Sequence, residues 1–151
     1  MTKSEGGRPK AHVFSEQLLR NCILFVTFAK LKQGKEMTRT IYFSDEFWDF
    51  YHQQQPKVKE KFDYVLSIVR TECVITTKFI KHLENTDLYE MRVSVATNEY
   101  RTILFAIDHD NILNATKIIV LNAFLKKSTK DYKKQIETAL HILGGLSDDT
   151  L

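Results

Sequence analysis

Apolar and polar positions follow two different periods along this chain, and the switch between them divides it into elements. After Ser44, the residues Phe47, Phe50 and Tyr51 fall at i, i+3 and i+4, the spacing of one helical face. Ser44 supplies an N-cap, and Asp45-Glu46 place negative charge at the positive end of the helix dipole. Pro56 breaks or restarts this helix, because a first helical position tolerates a residue with no amide hydrogen. A second helix over 56–71 turns Val58, Phe62, Val65, Leu66 and Val69 inward and Lys57, Lys59, Glu60 and Lys61 outward. Ahead of this pair, Arg39 to Phe43 reads as a strand.

From residue 88 the period becomes two. Tyr89, Met91, Val93 and Val95 alternate with Glu90, Arg92 and Ser94, the pattern of a half-buried strand. A turn at Thr97-Asn98-Glu99 leads to a strand from Tyr100 to Ile107, and a polar loop at 108–111 follows. Ile118 to Leu125 is almost wholly apolar, which suits a central strand. A last helix covers 130–143, with Ile136, Ala139, Leu140 and Leu143 on one face and Gly144-Gly145 as its stop. The order β-αα-βββ-α predicts an α+β fold: a small antiparallel sheet carrying an N-terminal helix hairpin and a C-terminal helix.

Residues 1–12 are charged and broken by Gly6-Gly7 and Pro9, 14–31 suit one helix, and 30–36 form a polar linker ahead of Met37. The composition shift places a boundary near residue 37. It predicts an N-terminal extension over 1–36, partly disordered or a leader ahead of a true start at Met37, and a folded domain over 37–151. The run Cys22 to Ala29 is too short to span a bilayer, and a buried or partner-bound helix is its expected state. Cys22 and Cys73 show neither metal spacing nor a disulfide framework, which fits a reducing cytoplasm.

A length of 151 residues bounds the chain to one domain with a real core. The net charge of +3 changes meaning once it is divided. Residues 1–36 carry seven Lys/Arg against three Glu, so the remaining body is slightly acidic and only local patches could steer a nucleic acid. Residues 82–111 are strongly acidic, whereas 112–134 carry six lysines against Asp131 alone.

The chemistry follows those patches. No glycine-rich phosphate loop, metal-ligand spacing or nucleophile motif is present, which argues against a small-molecule enzyme with a cofactor. Lys126-Lys127 stand where the last strand hands over to the last helix, with Lys130 just beyond. Positive charge there opposes the helix dipole and would pair with a bound phosphate, although a lysine run is as often a solvated face. Arg92 and Arg101 each lie in a strand, where arginine suits bidentate phosphate contact or pairs with Glu90 and Glu99. His82, with Lys78 and Lys81 just before it, is a candidate proton-transfer group or a plain surface residue.

Three stretches carry a resemblance. They are TIYFSDEFWDFYHQQQPKVKEKFDYVLSIV, then KFIKHLENTDLYEMRVSVATNEYRTILFAID, then IIVLNAFLKKSTKDYKKQIETAL. Together, over 38–143, they resemble toxins of the RelE/ParE superfamily from type II toxin–antitoxin systems, especially its HigB-like, phage-derived branch. The resemblance implies the α+β fold derived above, a cognate helix-turn-helix antitoxin, and ribosome-dependent mRNA cleavage that requires no metal or cofactor. In that reaction a ribose 2′-hydroxyl attacks the adjacent phosphate, and the protein orients RNA, relays protons and stabilises charge. The resemblance matches Arg92 and Arg101 to the family's strand arginines and Lys126 and Lys127 to its basic junction. Together with the candidates read from the residues, the expected catalytic set is Arg101, Lys126, Lys127, Tyr132 and His82, and the expected phosphate-binding set Arg92, Lys78, Lys81 and Lys130. Gln135 stands where many nuclease members have Tyr or His, with Tyr132 one turn earlier. A gyrase-inhibiting toxin of the ParE type and a non-toxic partner-binding module remain the alternatives.

Overall fold

The computed structural model describes residues 12–13 and 37–146. Its sheet comprises β1 (His12–Val13), β2 (Thr40–Phe43), β3 (Ile80–His82), β4 (Leu88–Val95), β5 (Asn98–Ala106) and β6 (Lys117–Leu125). The helices are α1 (Asp45–His52), α2 (Pro56–Thr71) and α3 (Thr129–Gly145). The α+β fold is therefore the one expected, and the expected elements occur in the expected order, with two short strands added, β1 and β3. The predicted helix over 14–31 lies outside the described residues.

The spatial strand order is β1-β2-β6-β5-β4-β3. Strands β3 to β6 are antiparallel to their neighbours, as expected, but β2 joins β6 in parallel, with Ile41 opposite Ile118 and Phe43 opposite Val120. The sheet is thus mixed. The parallel pairing follows from chain travel: two helices and three strands separate β2 from β6, so no tight turn forces the pair to reverse. The most apolar strand, β6, is central, because both its faces are covered.

Those faces carry separate cores. Ile41, Phe43, Met91, Val93, Leu104, Ile118 and Val120 meet Phe47 of α1 and Val58, Phe62, Val65, Leu66 and Val69 of α2. All five inward residues expected of α2 are buried. On the other face, Leu88, Ile103, Ile119, Leu121 and Phe124 meet Ala139 and Ile142 of α3. Of the expected face of α3, Ala139 is buried and Ile136 and Leu143 pack partly buried against this core. Leu140, however, is 47% exposed and Ile142 is covered instead, a small rotation of the buried stripe. The helix also runs through Gly144 and Gly145, and Leu146 caps it, so the glycine pair does not stop it.

Ser44 caps α1 as expected, its side chain accepting from Phe47 N at 3.1 Å. The same hydroxyl donates to the carbonyl of Leu121, where β6 bulges. Ile103 faces Asn122 but Leu104 faces Val120, so Leu121 is the extra residue. The bulge leaves Leu121 and Asn122 both toward α3, where Asn122 Nδ2 donates to Gln135 O at 3.1 Å and Oε1 at 3.0 Å.

Candidate functional site

Strand alternation builds the site. Successive side chains on a strand point to opposite faces, so residues paired across β3 to β6 form rows on the α3 side. One row joins Arg92, Arg101 and Phe124, which are direct register partners across β4, β5 and β6. The next row joins Lys81, Glu90, Ile103 and Asn122. On the opposite flank stand Ser94 and Glu99, and the Lys126 amide donates to the Glu99 carbonyl at 2.8 Å.

Glu90 is the hub of these rows. It is 3% exposed, yet its Oε1 lies 2.7 Å from Arg92 Nε and 3.3 Å from Arg101 Nε. Its Oε2 accepts a short hydrogen bond from the Tyr132 hydroxyl, and Tyr132 also packs edge-on against Phe124 with ring centroids 5.8 Å apart. Such a carboxylate is tolerable in the interior because both oxygens are satisfied by ionised or polar donors. Arg101 is itself buried, and its Nη1 donates to Glu99 Oε2 at 3.0 Å and to Tyr100 O at 2.9 Å. Arg92 is half-buried and uses only Nε in its bond to Glu90 among the described residues.

Two protonation equilibria respond to this arrangement. Burial, then the hydrogen bond and charge of Glu90, raise the Tyr132 hydroxyl well above its ordinary value of 10.0. The phenol therefore stays protonated at neutral pH and serves as a donor. Hydrogen bonds from Arg101 and then Ser94 pull Glu99 below its ordinary 4.5, with Lys126 adding a weaker pull. The site thus holds two arginines against two carboxylates, with Lys81 and Lys126 exposed at its margins.

Arg92, Arg101, Tyr132, Lys81 and Lys126 are therefore brought to one face, although Lys81 and Lys126 flank its centre. Lys127 and Lys130 are exposed at the strand–helix junction beside it. His82 is not brought to it. It pairs with Tyr89, their rings 5.0 Å apart, and Tyr89 belongs to the core on the α1–α2 side. Lys78 precedes β3 on the surface, its Nζ over the Phe79 ring. Gln135 is committed to Asn122, so Tyr132 is the α3 side chain that reaches the charged group.

In the sequence Glu90 stands out only as a neighbour of Arg92. Its matching strand parity with Arg92 was a visible signal; the shared contact with Arg101 and Tyr132 required the register. Among the described residues no group of His, Cys, Asp and Glu is arranged to hold a metal ion, and no helix is long and apolar enough to cross a membrane.

Residues 49–143, more than half of the chain, match the family model described as Phage derived protein Gp49-like. The chain belongs to this family. The Gp49-like family is associated with RelE-like toxins and is toxin-like in type II toxin–antitoxin systems, which agrees with the resemblance at that level. Glu90, Arg92, Arg101, Lys126 and Tyr132 all fall inside the Gp49-like match. Neither a curated protein nor a solved structure matches the chain.

Proposed function

We propose that this chain is the toxin of a type II toxin–antitoxin pair, acting in the cytoplasm as an mRNA endonuclease on the ribosome. The observation that supports this most is the direct opposition of Arg92 and Arg101 on one sheet face, beside Tyr132 and Lys126. Like charges directly opposite on a sheet repel; Glu90 bridges the pair from its inner side, and the Arg92 Nη nitrogens, which make no hydrogen bond among the described residues, are left for a phosphate. In this reading the two guanidiniums hold the scissile phosphate, and Lys126 with Lys127 neutralises charge growing on its oxygens. Tyr132 donates or relays a proton near the attacking ribose hydroxyl. The nucleophile belongs to the substrate, so positioning and electrostatics are the protein's main contributions. Lys81, Lys130 and Lys78 guide the flanking backbone, and a helix-turn-helix antitoxin holds the toxin silent.

A gyrase-type, non-cleaving toxin is favoured by one feature: Glu90 and Glu99 already neutralise both arginines. Induced expression in bacterial cells, with growth and mRNA ends followed together, separates the readings. Arrest with new 5′-hydroxyl mRNA ends supports cleavage, arrest with intact mRNA supports the gyrase type, and absence of arrest a partner-binding module.

A further inference from the structure

We propose that Glu90 is the positioning residue of this site, fixing Arg92, Arg101 and the Tyr132 hydroxyl in one arrangement around a bound phosphodiester. The proposal rests on the reading of this face as an RNA site. It adds a buried acid to a set that sequence and resemblance confined to basic residues, Tyr132 and His82.

The contacts have a direction. Glu90 engages both arginines through Nε, at 2.7 Å and 3.3 Å, and so holds each guanidinium by its inner edge. In Arg92, which is half-buried, this leaves the terminal Nη nitrogens for a ligand, the pair that matches two oxygens of a phosphate. Arg101 gives Nη1 to Glu99 and Tyr100, so Glu90 and Glu99 together fix its plane. The second Glu90 oxygen accepts a hydrogen bond from the Tyr132 hydroxyl and fixes where that hydroxyl sits above the sheet. A single carboxylate thus sets the relative placement of three groups carried by β4, β5 and α3.

Burial at 3% exposure denies Glu90 a water shell that would let it turn away. An ion pair kept only for stability would be better replaced by apolar residues, since burying the charges costs about as much as their attraction returns. The cost is rational where the orientation itself is used. A misplacement of about 1 Å in a reacting constellation lowers turnover by about a hundredfold.

Two substitutions separate charge from reach. Glu90→Gln keeps the shape and an acceptor for the arginines but removes the negative charge that a phosphate must oppose. Glu90→Asp keeps the charge but withdraws the carboxylate by one methylene, so it cannot meet all three donors. The test measures the Kd for a short single-stranded RNA made uncleavable by a deoxyribose at the reacting position. It also measures turnover on mRNA in a reconstituted translation reaction, with each variant's folded fraction from circular dichroism. For Glu90→Gln the expected result is binding equal to or tighter than wild type, with turnover lowered by about tenfold or more. Glu90→Asp is expected to weaken binding by about fivefold or more and to lower turnover as well. The proposal is overturned if Glu90→Gln turns over within about twofold of wild type, or if binding and turnover fall only in step with the folded fraction. If the wild type cleaves no mRNA, the nuclease reading fails. The positioning role is then decided by the oligonucleotide alone: weaker binding by Glu90→Asp but not Glu90→Gln supports it, and unchanged or equally lowered binding by both overturns it.

Discussion

Arg39→Met places the strongest demand on the structural account. Arg39 is 0% exposed just ahead of β2, and no carboxylate neutralises it among its hydrogen-bond partners. Its Nε donates to Ala115 O at 3.1 Å, Nη1 to Val69 O at 2.8 Å and Glu72 O at 2.7 Å, and Nη2 to Leu113 O at 2.8 Å. Val69 and Glu72 lie at the end of α2, where carbonyls lack intrahelical donors. The guanidinium therefore completes the helix end and ties it to the loop before β6. Burial lowers its pKa below the ordinary guanidinium value, with Cys73 opposing, but a guanidinium still carries its charge at neutral pH. Methionine has similar reach and no donors, so it would strand those carbonyls at about 1 kcal/mol or more each. Relief of the guanidinium's desolvation offsets part of this, leaving a net loss of about 3 kcal/mol. Urea unfolding followed through Trp48, the single tryptophan, which lies 4.9 Å from the Phe43 ring by centroid, measures it directly. Arg39→Lys, with fewer donors, is expected to lose about half as much. A loss below about 1 kcal/mol for Arg39→Met would refute the claim that this one side chain secures the end of α2.

Two further predictions use protonation. Desolvation raises the Asp108 carboxyl, but hydrogen bonds from the Thr116 side chain and the Lys117 and Thr116 amides outweigh it and hold the group below its ordinary 3.8. A depressed folded pKa contributes stability above the unfolded value that is lost as pH falls through the folded one, so acid should lower the urea midpoint. Asp108→Asn should flatten that acid limb, and an unchanged slope would contradict the assignment. Tyr132 has the opposite sign of shift: its stability contribution is complete below 10.0 and is lost as pH rises above that value. Tyr132→Phe should therefore lose less stability than wild type in alkali, and ultraviolet titration should show one late-ionising phenol fewer.

The legible part of the fold was whatever depends on local period. The α2 stripe from Val58 to Val69, the Ser44 cap and the apolar β6 each follow from residues close in sequence. The parallel pairing of β2 with β6 was not legible, because alternation fixes which face a residue takes and leaves the neighbouring strand open. Ile80–His82 read only as a lead into the strand pair, since three residues are too few to display a period. The rotation of α3 escaped for a related reason: Leu140 and Ile142 both fit an apolar stripe, and which of them meets the sheet depends on how the helix packs rather than on its period. At the site, Arg92 and Arg101 were legible as charged residues in strands. Their pairing with Glu90 and Glu99 was anticipated as an alternative, and the structure contains both pairs. That Glu90 serves both arginines depends on the β4–β5 register. His82 stands out in the sequence as a histidine just after Lys78 and Lys81, but a shift of one residue along a strand moves a side chain to the other face.

The central claim is that the face carrying Arg92 and Arg101 cleaves mRNA on the ribosome. Purified wild-type protein and Arg101→Ala can be added to a translation reaction programmed with one defined mRNA, and the new ends mapped and their chemistry determined. The account predicts that wild type generates 5′-hydroxyl ends paired with cyclic phosphates only while ribosomes translate, and that Arg101→Ala lowers their rate by about a hundredfold or more. Intact mRNA with the wild type, or full activity in a folded Arg101→Ala, would contradict it.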